Sequence, residues 1–420
     1  MTEQKKKRIL VIADSPLVPS GVGTQTKYMI EGLLRTQEYS FVCLAGALQH
    51  QDYRPQKVDP YGDDWIIHPV DGYGNPQVVR EVLHHYKPEA LWFMTDPRFY
   101  VWLWEMADEI RKNVPMVYYH VWDNYPYPEF NKPYYDSNDL VCTISKVTDD
   151  IVRTVSPEVE CIRVPHTTDI NIFKKRPVSE YEHIRKEIKS EDKMVFFWNN
   201  RNARRKQSGT LVYWFKEFLD EIGHDKATLI MHTEPKDPHG QDLEHIMEHL
   251  GLDNGQLILS TQKMPPEELS KVYNLADCTI NISDAEGFGL ATLESLSCST
   301  PIIVNMTGGL QEQVTDNQGN WFGFGIEPAS KAIIGSQDVP YIYEDRISKE
   351  DFLEEILKFF NLSEEERKEM GEKGRNHVVE NFSMSKYTGS WYEIMKNFIE
   401  KHGSWKNRKN YKSWEFVELK

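Results

Sequence analysis

The residues best suited to chemistry lie in Glu286-Gly287-Phe288-Gly289-Leu290-Ala291-Thr292-Leu293-Glu294. An acid follows the apolar run Cys278 to Ile282, two glycines leave backbone amides open to a ligand, and a second acid falls eight residues on. Eight residues of helix is a little over two turns, so Glu286 and Glu294 fall on nearly the same face. One carboxylate can accept sugar hydroxyls and the other a pair of ribose hydroxyls, with the glycine amides holding a phosphate between them. The plainer alternative is that Glu286 only complements the dipole of the helix that follows.

A second cluster lies upstream, where the apolar run Met194 to Trp198 leads into Asn199-Asn200-Arg201-Asn202-Ala203-Arg204-Arg205-Lys206. Four cations within six residues at a strand-to-helix junction can neutralise a diphosphate, arginine through a bidentate fork and lysine as a point charge. A solvated charge run is the alternative. In the first half, an apolar run ends in Tyr119-His120-Val121-Trp122-Asp123. A histidine at the carboxyl end of a strand is expected on the ligand side of an α/β sheet, where it can exchange a proton with a sugar hydroxyl. The alternative is a histidine satisfied by local backbone. After the first apolar run, Ser20-Gly21-Val22-Gly23 opens a helix, and Gly21 and Gly23 let amides approach a phosphate. The turn is neither GxGxxG nor a Walker A loop, and Gly-x-Gly is also common in ordinary turns.

Parallel α/β units are needed to hold such positions. Ile9 to Ala13, a helical pattern over 23–34, and Phe41 to Leu44 begin an alternation of apolar runs and amphipathic stretches. Further strands are expected at Trp65 to His68, Ala90 to Met94, Met116 to His120, Leu140 to Ile144 and Cys161 to Val164. The charged stretch 173–193 reads as a connector. Beyond it the pattern restarts, with strands at Met194 to Trp198, Thr228 to Met231, Gln256 to Leu259, Cys278 to Ile282 and Pro301 to Val304. The expected class is α/β, with two Rossmann-like domains, 1–180 and 181–382, facing across a cleft, and ligands beyond the carboxyl ends of the strands. Residues 383–420 are expected to form a helix, carrying Tyr387, Trp391, Ile394 and Phe398 on one face, and a basic-aromatic tail packing back towards the first domain. Within that tail, Lys406, Arg408, Lys409 and Lys412 alternate with Trp405, Tyr411 and Trp414, the composition that follows a phosphate backbone and stacks on bases. A solvated helix end with packed aromatics is the alternative.

Composition narrows the classes. Over 420 residues, 49 Lys and Arg face 65 Asp and Glu, and the formal charge of −16 argues against a protein that coats nucleic acid non-specifically. The first 180 residues hold 20 basic and 25 acidic side chains and the remainder 29 and 40, so the first half is the less acidic and permits a nucleic-acid contact. No apolar run approaches the roughly 20 residues of a membrane span. Lys5 to Arg8 followed by Ile9 to Ala13 imitates a signal peptide, but Asp14 ends the apolar run too early, and it reads as a strand. The five cysteines are an odd number and never spaced CxxC, which suits buried thiols in a reducing cytosol and neither a disulfide framework nor a cysteine zinc site. A cytoplasmic location is expected.

These residues resemble a family, the retaining glycosyltransferases of the GT-B fold known as family 4 or group 1, over nearly the whole chain. Glu286 and Glu294 match its E-x7-E signature, Arg201 and Lys206 its R-x4-K pair, Ser20 to Gly23 its N-terminal glycine loop, and His120 the histidine that ends an N-domain strand. Ser145-Lys146 and Val164-Pro165-His166 resemble further landmarks. The resemblance implies that residues 1–180 serve the acceptor and 181–382 bind a nucleotide sugar. It implies that Arg201 and Lys206 bind the donor diphosphate, Glu294 the ribose and Glu286 the donor sugar. Gly287, Phe288, Gly289 and Leu290 would supply amides, and His120 would lie beside the anomeric carbon. Retention would follow front-face attack, with the departing phosphate taking the acceptor proton, and two cations with amides would stabilise the leaving group without a metal or other cofactor. Asn200 and Gln207 stand where the family usually has glycine, so the phosphate loop is expected to differ in shape.

The stretches 199–206 and His232 to Pro238 resemble bacteriophage-encoded members. That implies a hydroxymethylated pyrimidine in phage DNA as acceptor, in a host cytoplasm, with a glycan, lipid or small molecule as the alternative acceptor. A sugar-nucleotide epimerase and a non-catalytic sugar-nucleotide-binding protein are the rivals to transfer. The oligomeric state, the sugar and the linkage are left open.

Overall fold

Runs such as Phe41-Val42-Cys43-Leu44 become strands because a parallel sheet is covered on both faces and has no place for alternating polar residues. The computed structural model describes residues 5–414. Two compact units are present, one made of the chain up to His166 together with the chain from Met384, the other of Thr167–Ser383.

The first unit holds β1 (Lys7–Asp14), β2 (Tyr39–Gly46), β3 (Gln56–Val58), β4 (Gly62–Pro69), β5 (Ala90–Met94), β6 (Met116–His120), β7 (Leu140–Thr143) and β8 (Cys161–Arg163). Their order is β3-β4-β2-β1-β5-β6-β7-β8, parallel except for β3, which pairs antiparallel with β4. The second unit holds β9 (Met194–Asn199), β10 (Ala227–His232), β11 (Leu257–Ser260), β12 (Cys278–Asn281), β13 (Ile302–Asn305) and β14 (Gly323–Ile326), in the all-parallel order β11-β10-β9-β12-β13-β14. An antiparallel hairpin of β15 (Ser330–Ile334) and β16 (Ile342–Arg346) follows. In each sheet the winding reverses once, between β1 and β5 and between β9 and β12, and such a reversal opens a crevice beyond the carboxyl ends of the strands.

All of the expected strands are present. The short edge strand β3, β14 and the hairpin carry too few buried residues for a long apolar run, and hydropathy does not mark them. The chain passes between units at 166/167 rather than at 180. The charged stretch after 170 is anchored in the second unit: Phe173 is buried in its core, Ile172 accepts from Ser270 Oγ at 2.9 Å, and the Arg176 guanidinium donates to Ser270 Oγ at 3.0 Å. All five cysteines are free and buried. Among the described residues no helix is long and apolar enough to cross a membrane.

The helix Met384–His402 buries Tyr387, Trp391, Ile394, Met395, Phe398, Ile399 and His402. The Tyr387 hydroxyl donates to Gln25 O at 3.1 Å, and the Trp391 ring meets Trp92 and Tyr119 edge-on at 5.7 and 5.0 Å between centroids. Beyond it, Trp405 Nε1 donates to Pro88 O at 2.9 Å. The Arg408 side chain, 5% exposed, donates to Arg111 O, His402 O and the carboxylate of Asp139, and Tyr411 stacks under the guanidinium groups of Arg111 and Arg408. This corrects the expectation for Arg408, which is not available to a phosphate backbone. Arg408, Trp405 and Tyr411 serve the first unit internally, because Asp139, itself nearly inaccessible, needs two cations. Lys406, Lys409 and Lys412 are exposed, Lys409 also donating to Glu400 O at 3.3 Å. Removing one partner of a buried ion pair strands the other. Arg408→Ala should therefore lower the stability of the first unit by about 3 kcal/mol in urea unfolding of the full chain.

Candidate functional site

At the reversal in the second sheet, the segment leaving β9 carries the basic cluster and the segment leaving β12 carries the first acid. Their side chains meet: the Lys206 ammonium pairs with the Glu286 carboxylate, the lysine only 8% exposed. Asn281 Nδ2 donates to the same carboxylate at 3.4 Å. Burial pushes the Glu286 carboxyl up, and the charges of Lys206 and Arg205 more than offset this, holding it below its ordinary value. Arg205 donates to Ala285 O, and Arg204 pairs with buried Glu344 on β16. Arg201 stands apart: 62% exposed, it forks onto Asp237 at 2.6 and 3.1 Å and bonds His239.

Gly289 caps the helix Leu290–Ser297 with φ +93°. A Cβ there would lie 2.6 Å from Leu310 Cδ2, so the tight turn from Glu286 into the helix requires glycine. Buried Gln313 holds this turn, donating to Phe288 O at 2.6 Å and Gly289 O at 3.1 Å while accepting from Thr292 Oγ1. Inside the helix, Glu294 accepts from the Tyr273 hydroxyl at 2.8 Å, and that hydroxyl accepts from Asn199 Nδ2 at 2.9 Å. Burial pushes the Glu294 carboxyl up to about 7, and the Tyr273 hydrogen bond opposes this only in part.

The first-unit candidates are placed differently from expectation. The Gly23 amide donates to Ser20 Oγ at 2.9 Å, the ordinary helix cap, and Ser20 donates in turn to Asp14 at 2.6 Å. A Cβ on Gly23 would lie 2.6 Å from Ser15 O, so this glycine permits close packing, and its amide is held by the cap. Gly21 begins the same helix. His120 is fully buried: Nδ1 lies 3.0 Å from the Tyr118 hydroxyl and Nε2 2.8 Å from that of Tyr135. Tyr118 donates its own proton to Thr95 O at 2.8 Å. His120 must therefore donate from Nδ1 and accept at Nε2. Burial pushes this imidazole down to about 3, so it stays neutral. A histidine with both ring nitrogens engaged corrects the expectation of one exposed on the ligand side. Sequence spacing also passed over Tyr273, Gln313, Asp237 and Glu344, polar residues far from the motifs in sequence that hold them in space.

Residues 180–377 match the family model of the glycosyl transferases group 1. The match takes in just under half of the chain. A D-inositol 3-phosphate glycosyltransferase from Corynebacterium jeikeium is 28% identical over 199 residues, 46% of this chain and 47% of the relative, so the match takes in about half the relative's length. Two solved structures share the fold: sucrose-phosphate synthase from Thermosynechococcus elongatus (TM-score 0.74, 15% identity, 94% of this chain and 100% of that one) and Anabaena HepE in complex with UDP and glucose (TM-score 0.68, 15% identity, 93% and 100%). The fold is GT-B.

Where the group 1 pattern has glycine after the lysine, this chain has Gln207, and the backbone still takes the left-handed conformation there, φ +55° and ψ 33°. Two side-chain bonds hold the glutamine in it: Nε2 donates to Asp284 at 2.6 Å, and Oε1 accepts from Thr210 at 2.6 Å. Burial pushes the Asp284 carboxyl up to about 6, against the Gln207 bond. Left-handed backbone costs a non-glycine residue about 1 kcal/mol, so Gln207→Gly should be more stable than Gln207→Ala by about 1 kcal/mol in thermal unfolding. For Glu294, a folded-state pKa raised above the ordinary 4.5 means stability present below 4.5 and lost as pH rises through about 7. Glu294→Gln should escape this loss, on the order of 3 kcal/mol, so that variant and wild type should converge at pH 4 and diverge at pH 8 in urea titrations.

Proposed function

We propose that the chain is a nucleotide-sugar-dependent, retaining glycosyltransferase whose donor site lies at the β9/β12 reversal of the second unit. The observation that carries this reading is the buried Lys206–Glu286 pair beside the Gly289 turn, with Glu294 presented on the helix that follows. In this reading the pair opens to admit the donor. Lys206 and Arg201 take the diphosphate oxygens, Glu286 the sugar hydroxyls and Glu294 the ribose. Charge developing on the departing diphosphate is met by two cations and by the amides of Gly287 to Leu290, which asks for no metal. Neutral, enclosed His120 is unsuited to proton transfer. Its place is to order Tyr118 and Tyr135, and the departing phosphate takes the acceptor proton.

The group 1 match and the UDP and glucose held by Anabaena HepE favour UDP-glucose as the first donor to test. For the acceptor, the name of the Corynebacterium relative favours a small hydroxyl compound over a base in phage DNA, and the engagement of Arg408 within the first unit agrees with that choice. The test is release of nucleoside diphosphate from UDP-glucose and other nucleotide sugars in EDTA, with small polyols, saccharides or hydroxymethylated DNA added. Release accelerated by a small acceptor and insensitive to EDTA is expected, and Lys206→Ala should lower turnover by about 10² or more. Acceleration by the DNA alone would reinstate the nucleic-acid acceptor, and silence with every donor would remove the transferase.

A further inference from the structure

The loop that carries the basic cluster meets the segment after β12 through more than the Lys206–Glu286 pair. The Asp284 amide donates to Arg205 O at 2.8 Å, the Arg205 guanidinium to Ala285 O, and Gln207 Nε2 to the Asp284 carboxylate at 2.6 Å. Residues 205, 206 and 207 are thus each tied to the stretch 284–286, with the lysine in the middle.

The tie at 207 exists only because a side chain stands where the group 1 pattern has glycine. Gln207 lies between the turn Arg204–Lys206 and the helix Ser208–Ile222, and its Oε1 accepts from Thr210 in the first turn of that helix. Its acceptor is fixed in place: Asp284 is 3% exposed, its amide is bonded to Arg205 O, and its carbonyl accepts from Asp345 N at 2.9 Å. A hydrogen bond from an amide to a carboxylate is charge-assisted and stronger than one between neutral groups. A lysine, by contrast, is a point charge on a flexible stem. Once its carboxylate partner is displaced, its ammonium is directed only by where its own backbone is held.

We infer that Gln207 and Asp284 are positioning residues for Lys206. Their hydrogen bond holds the Lys206 backbone in register with the segment 284–289 while the Lys206–Glu286 pair opens, so that the ammonium stays aimed at the diphosphate of the donor. The inference rests on the donor site proposed above.

Calorimetric titration of the full chain with UDP, GDP and ADP tests it, each variant being checked for folding by thermal unfolding. Gln207→Gly keeps access to the left-handed backbone and removes only the tie, so a role in backbone conformation alone would leave its binding at the wild-type level. Gln207→Gly and Gln207→Ala should instead both weaken binding of the preferred diphosphate about tenfold, the loss of one hydrogen bond to a charged group. Asp284→Ala should weaken it about as much and should cost nothing further in Gln207→Gly, because the two partners of one bond are not additive. Gln207→Glu supplies a reading that removes neither partner's polar group. Asp284, whose carboxyl is pushed up to about 6 by burial and by Glu344 against Gln207, Arg346 and Arg204, would then face a second carboxylate. Binding relative to wild type should be weak at about pH 8 and recover at about pH 5, where a proton shared by the two acids restores the bond. Wild-type affinity in Gln207→Gly, additive losses in the double variant, or a Gln207→Glu variant indifferent to pH would overturn the positioning role while leaving the donor site intact. A wild-type chain that binds none of the three diphosphates would overturn the donor site itself, and the inference with it.

Discussion

Four cations crowded into six residues at the end of a buried strand repel one another, and the loop that carries them can hold a shape only if each finds a partner. In this chain the partners come from three different places, the segment after β12 serving two of the cations. Arg201 takes Asp237 from the segment after β10, Arg204 takes Glu344 from β16, Arg205 takes the carbonyl of Ala285, and Lys206 takes Glu286. The second unit is thus assembled around the charge of one loop. The hairpin of β15 and β16 gains a structural reason, since without Glu344 one guanidinium would lose its carboxylate.

In the proposed reading, the same arrangement prepares the site for an anion. In that reading, a lysine almost out of water and paired with one carboxylate is held in position until a ligand of greater negative charge competes for it. The second acid is prepared in the opposite way. Among the described residues Glu294 has a tyrosine hydroxyl and no paired cation, so burial holds it near the point of ionisation, and hydroxyl donors from a ligand would favour its charged form. Two carboxylates eight residues apart are therefore set to different states by what surrounds them.

The first unit uses neutral hydrogen bonds where the second uses charge. Tyr135, His120, Tyr118 and the carbonyl of Thr95 form a chain in which each donor is determined by the next acceptor, and the chain ends at the carboxyl edge of β5. The returning C-terminal helix seals the other side of the sheet with Tyr387 and Trp391 against Tyr119 and Trp92.

The sequence by itself determined the α/β class, the strands that are buried on both faces, and the two motifs of the candidate site. These are legible because a parallel strand must be continuously apolar and because glycines, acids and cations at fixed spacing retain their meaning in a local turn and helix. Only the tertiary structure decided the rest. Whether His120 faces a ligand depends on Tyr135, fifteen residues away. Whether Arg408 is free depends on Asp139, 269 residues away. Whether Gln207 can replace glycine depends on Asp284, 77 residues away. A side chain's chemistry is a property of its type, but its availability is set by long-range partners, and no local spacing records which partner arrives.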